Sequence, residues 1–303
     1  MLEQVEKVIM APQGPAFSKL VQGYWRLGSW NMSAQQRLTF LKQHIELGIT
    51  TVDNAAIYGD SEVLFGEALA LDPQVKEQIQ IVSKFGINGI EASINEKRVS
   101  HYDSSKSAII RSAENSLKRL GVEQLDALLV HRPDYLMDAD QVEEAFSELK
   151  KSGKVAHFGV SNFTPSQFDL LQSRLNQPLI TNQVEINPIN LSALEDGVLD
   201  QLQQYRIRPM AWSCLAGGNI FQHSDLQNAR LRACLEQIAE EIGAISMTQV
   251  IFAWVLKHPS KAVALLGTGQ IERVKETVGA LSLKMNTEQW YRILVASKGQ
   301  PVP

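Results

Sequence analysis

Eight short apolar, β-rich runs recur along the chain: "KLVQG" (19–23), "ITTVD" (49–53), "IQIVSK" (79–84), "LDALLVH" (125–131), "AHFGVS" (156–161), "ITNQVE" (180–185), "RPMAWS" (208–213) and "AVALLG" (262–267). Several are apolar almost throughout, the pattern of parallel strands covered on both faces. Between them lie stretches of helical periodicity with matching punctuation. "SAQQRLTFLKQHIELG" has Ser33 as N-cap and Gly48 just past its end. "DADQVEEAFSELKKSGK" runs from an acidic first turn to a basic last turn and then Gly153. "TPSQFDLLQSRL" opens with Thr164 and a proline at the first helical position. Eight strands alternating with helices and no linker predict a (β/α)8 TIM barrel, one domain spanning 1–303. A doubly wound sheet would need GxGxxG after the first strand, and none stands there. The leading "VEKVIMAPQGPAFSKL" sets a Pro-Gly turn between apolar flanks, which predicts an N-terminal hairpin before the barrel.

Composition serves mainly to exclude. A formal charge of −4 gives no reason to expect nucleic acid or an anionic membrane as partner, so an anionic ligand would need a local basic site. No apolar run approaches the roughly 18 to 20 residues of a membrane span. The opening "MLEQVEKVIMAPQGP" lacks the basic-then-apolar order of a secretory signal. Cys214 and Cys234 form no CxxC pair, a usage that suits a reducing compartment. A cytoplasmic monomer is expected. The histidines, at 44, 101, 131, 157, 223 and 258, have no ligand spacing, so no metal is expected.

In a barrel of this kind the site forms where strands open into their C-terminal loops. In "TTVDNAAIYGDSE" the second strand ends on Asp53, and Tyr58 follows in the loop. The third strand ends on Lys84 and the fourth on His131. Each alone has an ordinary structural role open to it: a turn cap, a packed aromatic, a solvated lysine, a satisfied histidine. Together they solve one chemical problem. A phenol, with a pKa of about 10, is a poor acid at neutrality. A neighbouring ammonium favours the phenolate, and a carboxylate keeps that ammonium charged despite burial. Each pKa unit is worth about 1.4 kcal/mol, so a close, poorly solvated Lys84–Tyr58 pair is expected to bring the phenol into a usable range. The imidazole can orient a carbonyl oxygen. The set predicts a proton donor for a developing alkoxide.

From about Gly23 to about Ala280 the chain resembles the aldo-keto reductase superfamily. That family's Asp/Tyr/Lys/His tetrad is matched by Asp53, Tyr58, Lys84 and His131 in "TVDNAAIYG", "IVSK" and "LLVHRPD". "GKVAHFGVSNF" resembles its fifth-strand signature, and the chain is most similar to bacterial members described simply as oxidoreductases. The resemblance implies reduction of a small aldehyde or ketone by hydride from NADPH, with Tyr58 as general acid. It implies that Ser161, Asn162 and Gln183 hold the nicotinamide carboxamide, a group that donates and accepts as their side chains do. Trp212 then stacks on the ring, Gly23, Tyr24 and Trp25 pass near the ribose and nicotinamide, and Asp53 counts among the cofactor contacts.

In "SCLAGGN", Ser213, Cys214, Leu215 and Gly217 let backbone N–H groups approach a pyrophosphate. The family usually has proline at Cys214, so a different loop shape and a structural thiol are expected. "GTGQIERVKET" puts a glycine-rich turn at a helix N-terminus. The resemblance assigns it to the adenosine 2′-phosphate, through Gly267, Thr268, Gly269, Gln270 and, as main fixed charge, Arg273. Many relatives carry a further basic residue near Gly267 or Gly269, and an asparagine where Thr277 stands. NADPH is expected over NADH, by less than a full basic cluster would give. Trp25, Trp30, Phe85, the loop 86–106 and the segment 219–228 are expected to line the substrate pocket. The short tail "KGQPVP" suggests an open site tolerant of several aldehydes. Two alternatives stay open: a barrel aldolase with Lys84 as Schiff-base nucleophile, and a nicotinamide-binding redox sensor with little turnover.

Overall fold

The computed structural model describes residues 4–89, 99–222 and 225–303. The Pro-Gly turn joins β1 (Lys7–Ile9) to β2 (Ala16–Ser18) as an antiparallel ribbon, with Val8 facing Phe17. Then follow β3 (Leu20–Gly23), α1 (Ala34–Glu46), β4 (Thr51–Asp53), α2 (Ser61–Leu71) and β5 (Gln80–Phe85). A second small ribbon, β6 (Ile87–Asn88) with β7 (His101–Tyr102), leads to α3 (Lys106–Leu120), β8 (Leu125–Val130) and α4 (Ala139–Lys151). Next come β9 (Val155–Ser161), α5 (Pro165–Gln172), β10 (Leu179–Glu185), α6 (Ser192–Glu195), α7 (Val198–Tyr205) and β11 (Met210–Trp212). The chain ends with α8 (Asn219–Gln222), α9 (Leu226–Ile242), α10 (Met247–Lys257), β12 (Val263–Leu266), α11 (Ile271–Val278) and α12 (Thr287–Lys298).

Strands β3, β4, β5, β8, β9, β10, β11 and β12 close in that order into a parallel barrel. These are the eight runs read from the sequence, with ends shifted by one or two residues. The helix starts match too: Ser33 and Thr164 each form a reciprocal capping box with a glutamine three residues on. Gly48 ends α1 at φ 83°, and a Cβ there would lie 2.5 Å from the Val5 carbonyl oxygen, so only glycine fits.

The first ribbon closes the barrel's N-terminal end. Lys19, just before β3, donates its N–H to Glu6 O at 3.0 Å, and Arg208, just before β11, donates to Met10 O at 2.8 Å. The Arg208 guanidinium also reaches Ile9 O at 2.9 Å and Lys261 O at 3.0 Å. Met10 and Phe17 are fully buried beneath it.

Alternation along β5 sorts its side chains. Lys84 points into the barrel, while Ser83 and Phe85 face the helices. Phe85 meets Phe146 of α4 edge-on at 6.2 Å, and Phe146 stacks on Phe158 at 4.0 Å. Phe85 is therefore core, and the expectation that it lines the substrate pocket is corrected. At the opposite edge, α9 and α12 pair through Arg292 and Glu241 at 2.7 Å. There Trp254 and Trp290 stack at 5.0 Å, and each indole N–H donates to the other's carbonyl at 3.1 Å. Among the described residues no single helix is long and apolar enough to cross a membrane. The apolar run Val250 to Val255 of α10 is buried in the protein core.

Candidate active site

The C-terminal ends of β4 and β5 place a buried ion pair at the barrel mouth. Lys84 is completely buried. Its ammonium donates to Asp53 Oδ1 at 2.6 Å, to the Asn54 carbonyl at 2.8 Å and to Tyr58 Oη at 3.2 Å. Three N–H groups meet three acceptors, so the donor capacity of the ammonium is used up. The other carboxylate oxygen of Asp53 accepts from Gln183 Nε2 at 2.8 Å. Tyr58 is held because its loop hangs on β5: the Ala56 N–H donates to Lys84 O and the Tyr58 N–H to Ala55 O, both at 3.1 Å. His131, just past β8, presents its ring edge-on to Tyr58 at 5.6 Å.

Burial and charge compete across this cluster. Burial works against the Lys84 ammonium, but the Asp53 carboxylate and the Tyr58 oxygen outweigh it and raise its pKa. Burial raises the Tyr58 phenol, Lys84 lowers it, Asp53 raises it again, and the net shift is upward. The expectation of a depressed phenol pKa is thus corrected: the close pair exists, yet desolvation of the phenolate wins. His131 is pushed down to about 2 by burial, with Lys84 and Arg132 adding to it, so its imidazole is neutral. The result is a charged lysine beside a phenol that keeps its proton.

The other half of the mouth is built from amides, hydroxyls and unusual backbone. Asn162, in the left-handed region at φ 61°, donates to Ser161 Oγ at 2.8 Å and to His131 O at 3.3 Å. Its carbonyl oxygen accepts from Trp212 Nε1 at 3.2 Å, which fixes the indole at the cleft wall. Ser213, Ala216, Gly217 and Gly218 all have positive φ, at 55°, 49°, 68° and 96°, a backbone that can turn N–H groups toward an anion. Cys214 borders this loop but is buried, with its thiol pushed up to about 12 by burial, so it is structural as expected. Gln22 donates to Thr268 O at 3.0 Å, tying the loop after β12 to β3. A Cβ on Gly269 would lie 2.5 Å from the Trp30 ring, so that loop needs glycine where the indole packs against it. Arg273 lines the cleft, and among the described residues its side chain has no ion pair.

One cleft of about 1150 Å³ joins the two halves, with Trp25 and Arg273 both on its wall. It exceeds the roughly 300 to 1,000 Å³ of common small-ligand pockets. With an indole, amides, positive-φ backbone and a guanidinium unpaired among the described residues on its walls, it fits an elongated anionic cofactor with a flat ring. All of the expected catalytic and cofactor residues line it except two. Lys84 lies beneath its floor. Tyr24 is corrected: its hydroxyl donates to His44 Nε2 at 2.8 Å, and its ring packs on Phe65 at 4.7 Å, inside the core. Trp30 lines the cleft as expected. Parts of the expected substrate walls, 90–98 and 223–224, lie outside the described residues.

The sequence reading passed over Arg26, Arg132 and Glu276, which also line the cleft. Arg132 had a usable signal, since it follows His131 at a strand end. Glu276 accepts from the Ser246 hydroxyl, and the Thr277 hydroxyl donates to Arg273 O at 2.9 Å.

A model of the Aldo/keto reductase family matches residues 19–297. The chain belongs to that family. It is 54% identical to oxidoreductase YdhF of Escherichia coli (strain K12), over 99% of this chain and 100% of the relative. It is 38% identical to a 6-dehydroglucose reductase of Agrobacterium fabrum, over 94% of this chain and 96% of that protein. Among solved structures, the thermostable aldo-keto reductase Tm1743 in complex with the inhibitor epalrestat is similar at a TM-score of 0.80. That match has 25% identity and covers 96% of this chain and 99% of the other. Aldo-keto reductases act on small carbonyl substrates and generally use nicotinamide cofactors, so the chain is an oxidoreductase of that broad kind.

Proposed function

We propose that this protein reduces an aldehyde or ketone to the alcohol with NADPH, and that Tyr58 is the proton donor. The observation that carries the reading is the buried Lys84 ammonium, 2.6 Å from Asp53 and 3.2 Å from the Tyr58 hydroxyl, at the base of the cleft. The bound cofactor supplies the hydride. Tyr58 and neutral His131 can both hold a carbonyl oxygen, and as charge grows there Tyr58 gives up its proton. The raised resting pKa keeps that proton in place until then. The phenolate that forms lies against a fixed cation, so it is stabilised when the proton leaves. Asp53 keeps that cation charged, and Gln183 fixes Asp53 in turn.

Asn162, Ser161 and the tethered Trp212 offer a polar edge and a flat face to a nicotinamide. Unpaired Arg273 supports NADPH over NADH. The amine of Lys84 is charged, fully buried and fully hydrogen-bonded, which argues against the Schiff-base reading, since an amine nucleophile needs a free lone pair. Both cysteines are free, which supports a reducing, cytoplasmic setting. The similarity to a 6-dehydroglucose reductase supports a small polar aldehyde as substrate.

The test is NADPH oxidation over a panel of small aldehydes and ketones, with Tyr58→Phe alongside. The variant should lose about 10² to 10⁴ in kcat, while NADPH still quenches tryptophan fluorescence at nearly the wild-type concentration. Near wild-type turnover in that variant would remove Tyr58 as the acid. Tight NADPH binding with no turnover of any carbonyl by the wild type would favour the sensor instead.

A further inference from the structure

We propose that Arg132 selects carbonyl substrates that carry a second oxygen-bearing group close to the carbonyl. The inference rests on the carbonyl-reductase reading above. Arg132 follows His131 at the end of β8, lines the same cleft and is half-buried. Its charge reaches both Tyr58 and His131. Its guanidinium carbon lies 5.8 Å from the centre of the Trp212 ring, and no carboxylate among the described residues pairs with it.

Nothing in the described cleft balances that charge. Asp53 is neutralised by Lys84, and Glu276 is engaged by Ser246 and lies on α11, with Arg273. A half-buried guanidinium without an acceptor keeps part of its desolvation cost, so a ligand that brings acceptors gains the difference. The guanidinium is a planar fork of N–H donors, a shape that suits paired oxygens better than a single one. Two groups present such oxygens: a carboxylate, or hydroxyls on neighbouring carbons. The cofactor is a poorer candidate for this role, because its phosphates have the loop 213–218 after β11 and Arg273 on α11. Arg132 sits instead beside the group proposed to protonate the substrate. With the carbonyl oxygen on Tyr58 and His131, the fork of the next residue meets what lies one to three carbons away.

The experiment compares kcat/KM for three aldehydes of similar size: butanal, glyceraldehyde with its hydroxyls, and succinic semialdehyde with its carboxylate. The wild type should prefer at least one oxygenated substrate over butanal by about ten-fold or more, equivalent to about 1.4 kcal/mol. Arg132→Met should erase most of that ratio, mainly through KM, whatever it does to butanal itself. Arg132→Lys, a point charge without the fork, should keep a carboxylate preference better than a hydroxyl preference, which tells the two sources apart. A wild type with no preference for either oxygenated aldehyde overturns the proposal. So does an Arg132→Met variant that lowers all three alike, since Arg132 would then act only through Trp212 or Tyr58. Wild-type turnover of butanal without preference sinks this inference alone; no turnover of any carbonyl sinks the reductase reading beneath it.

Discussion

The half of the barrel mouth built by β4, β5 and β8 treats its polar groups differently from the half built by β9 to β12. In the first, Asp53, Lys84 and Tyr58 are closed on one another and on Gln183 and the Asn54 carbonyl, all buried or nearly so. In the second, Arg273 is exposed without an ion pair among the described residues, and Ser213, Ala216, Gly217 and Gly218 are held at positive φ. One half is closed on its own hydrogen bonds; the other keeps the Arg273 charge uncommitted among the described residues. The lesson is that chemistry and binding are built by opposite means. A group that must stabilise a transient charge is fixed beforehand, whereas a group that must capture an anion stays free.

That contrast can be broken at several points. The largest effect is expected at Lys84→Met, which leaves the Asp53 carboxylate buried without its cation. Removing one partner of such a pair costs about 3 to 5 kcal/mol, read as a lower urea midpoint, and turnover should vanish with it. A stable but inactive variant would mean that the pair serves chemistry alone. A smaller effect is expected across the mouth. Arg273→Ala should raise the Michaelis constant for NADPH by about ten- to a hundred-fold, the worth of one charge-assisted contact, with no loss of stability. Equal changes for NADPH and NADH would refute a 2′-phosphate role.

A third effect, on stability alone and spread over pH, lies away from both halves, at His44. Its pKa is lowered to about 4 by burial, while the Ile49 carbonyl pulls the other way. Below its ordinary value of about 6.5 the unfolded chain takes up a proton that the folded chain refuses. Stability should therefore fall as pH drops from about 6.5 to about 4, by up to about 1.4 kcal/mol per pH unit from this group. His44→Gln should flatten the slope of urea midpoint against pH across that window. An unchanged slope would show that His44 is not the group being titrated.

The barrel and the four groups at its mouth were legible because their signals are local. An apolar run ending on Asp53, Lys84 or His131 fixes both a strand and the side of the barrel on which its last residue lies. Phe85 shows where the same logic was not carried far enough. With Lys84 facing inward, strand alternation alone turns Phe85 toward α4. Tyr24 failed for another reason: its partner His44 is a helix away in sequence, and nothing near Gly23 announces that contact. The direction of the Tyr58 shift was not readable either. It depends on how much water the closed barrel removes, a sum over many distant side chains, whereas the Lys84 contact is a single pair. Arg132 was visible in "VHRPD" but lacked meaning until the structure placed its charge near Tyr58 with no carboxylate among the described residues paired to it.

The ribbon packed across the barrel's far end also shapes how molecules come and go. With Met10 and Phe17 buried at that side, the described residues leave the cleft to open at the other. If cofactor and substrate share that opening as proposed, the one that settles deeper should arrive first and depart last. Steady-state measurements with product added should carry the signature of that compulsory order.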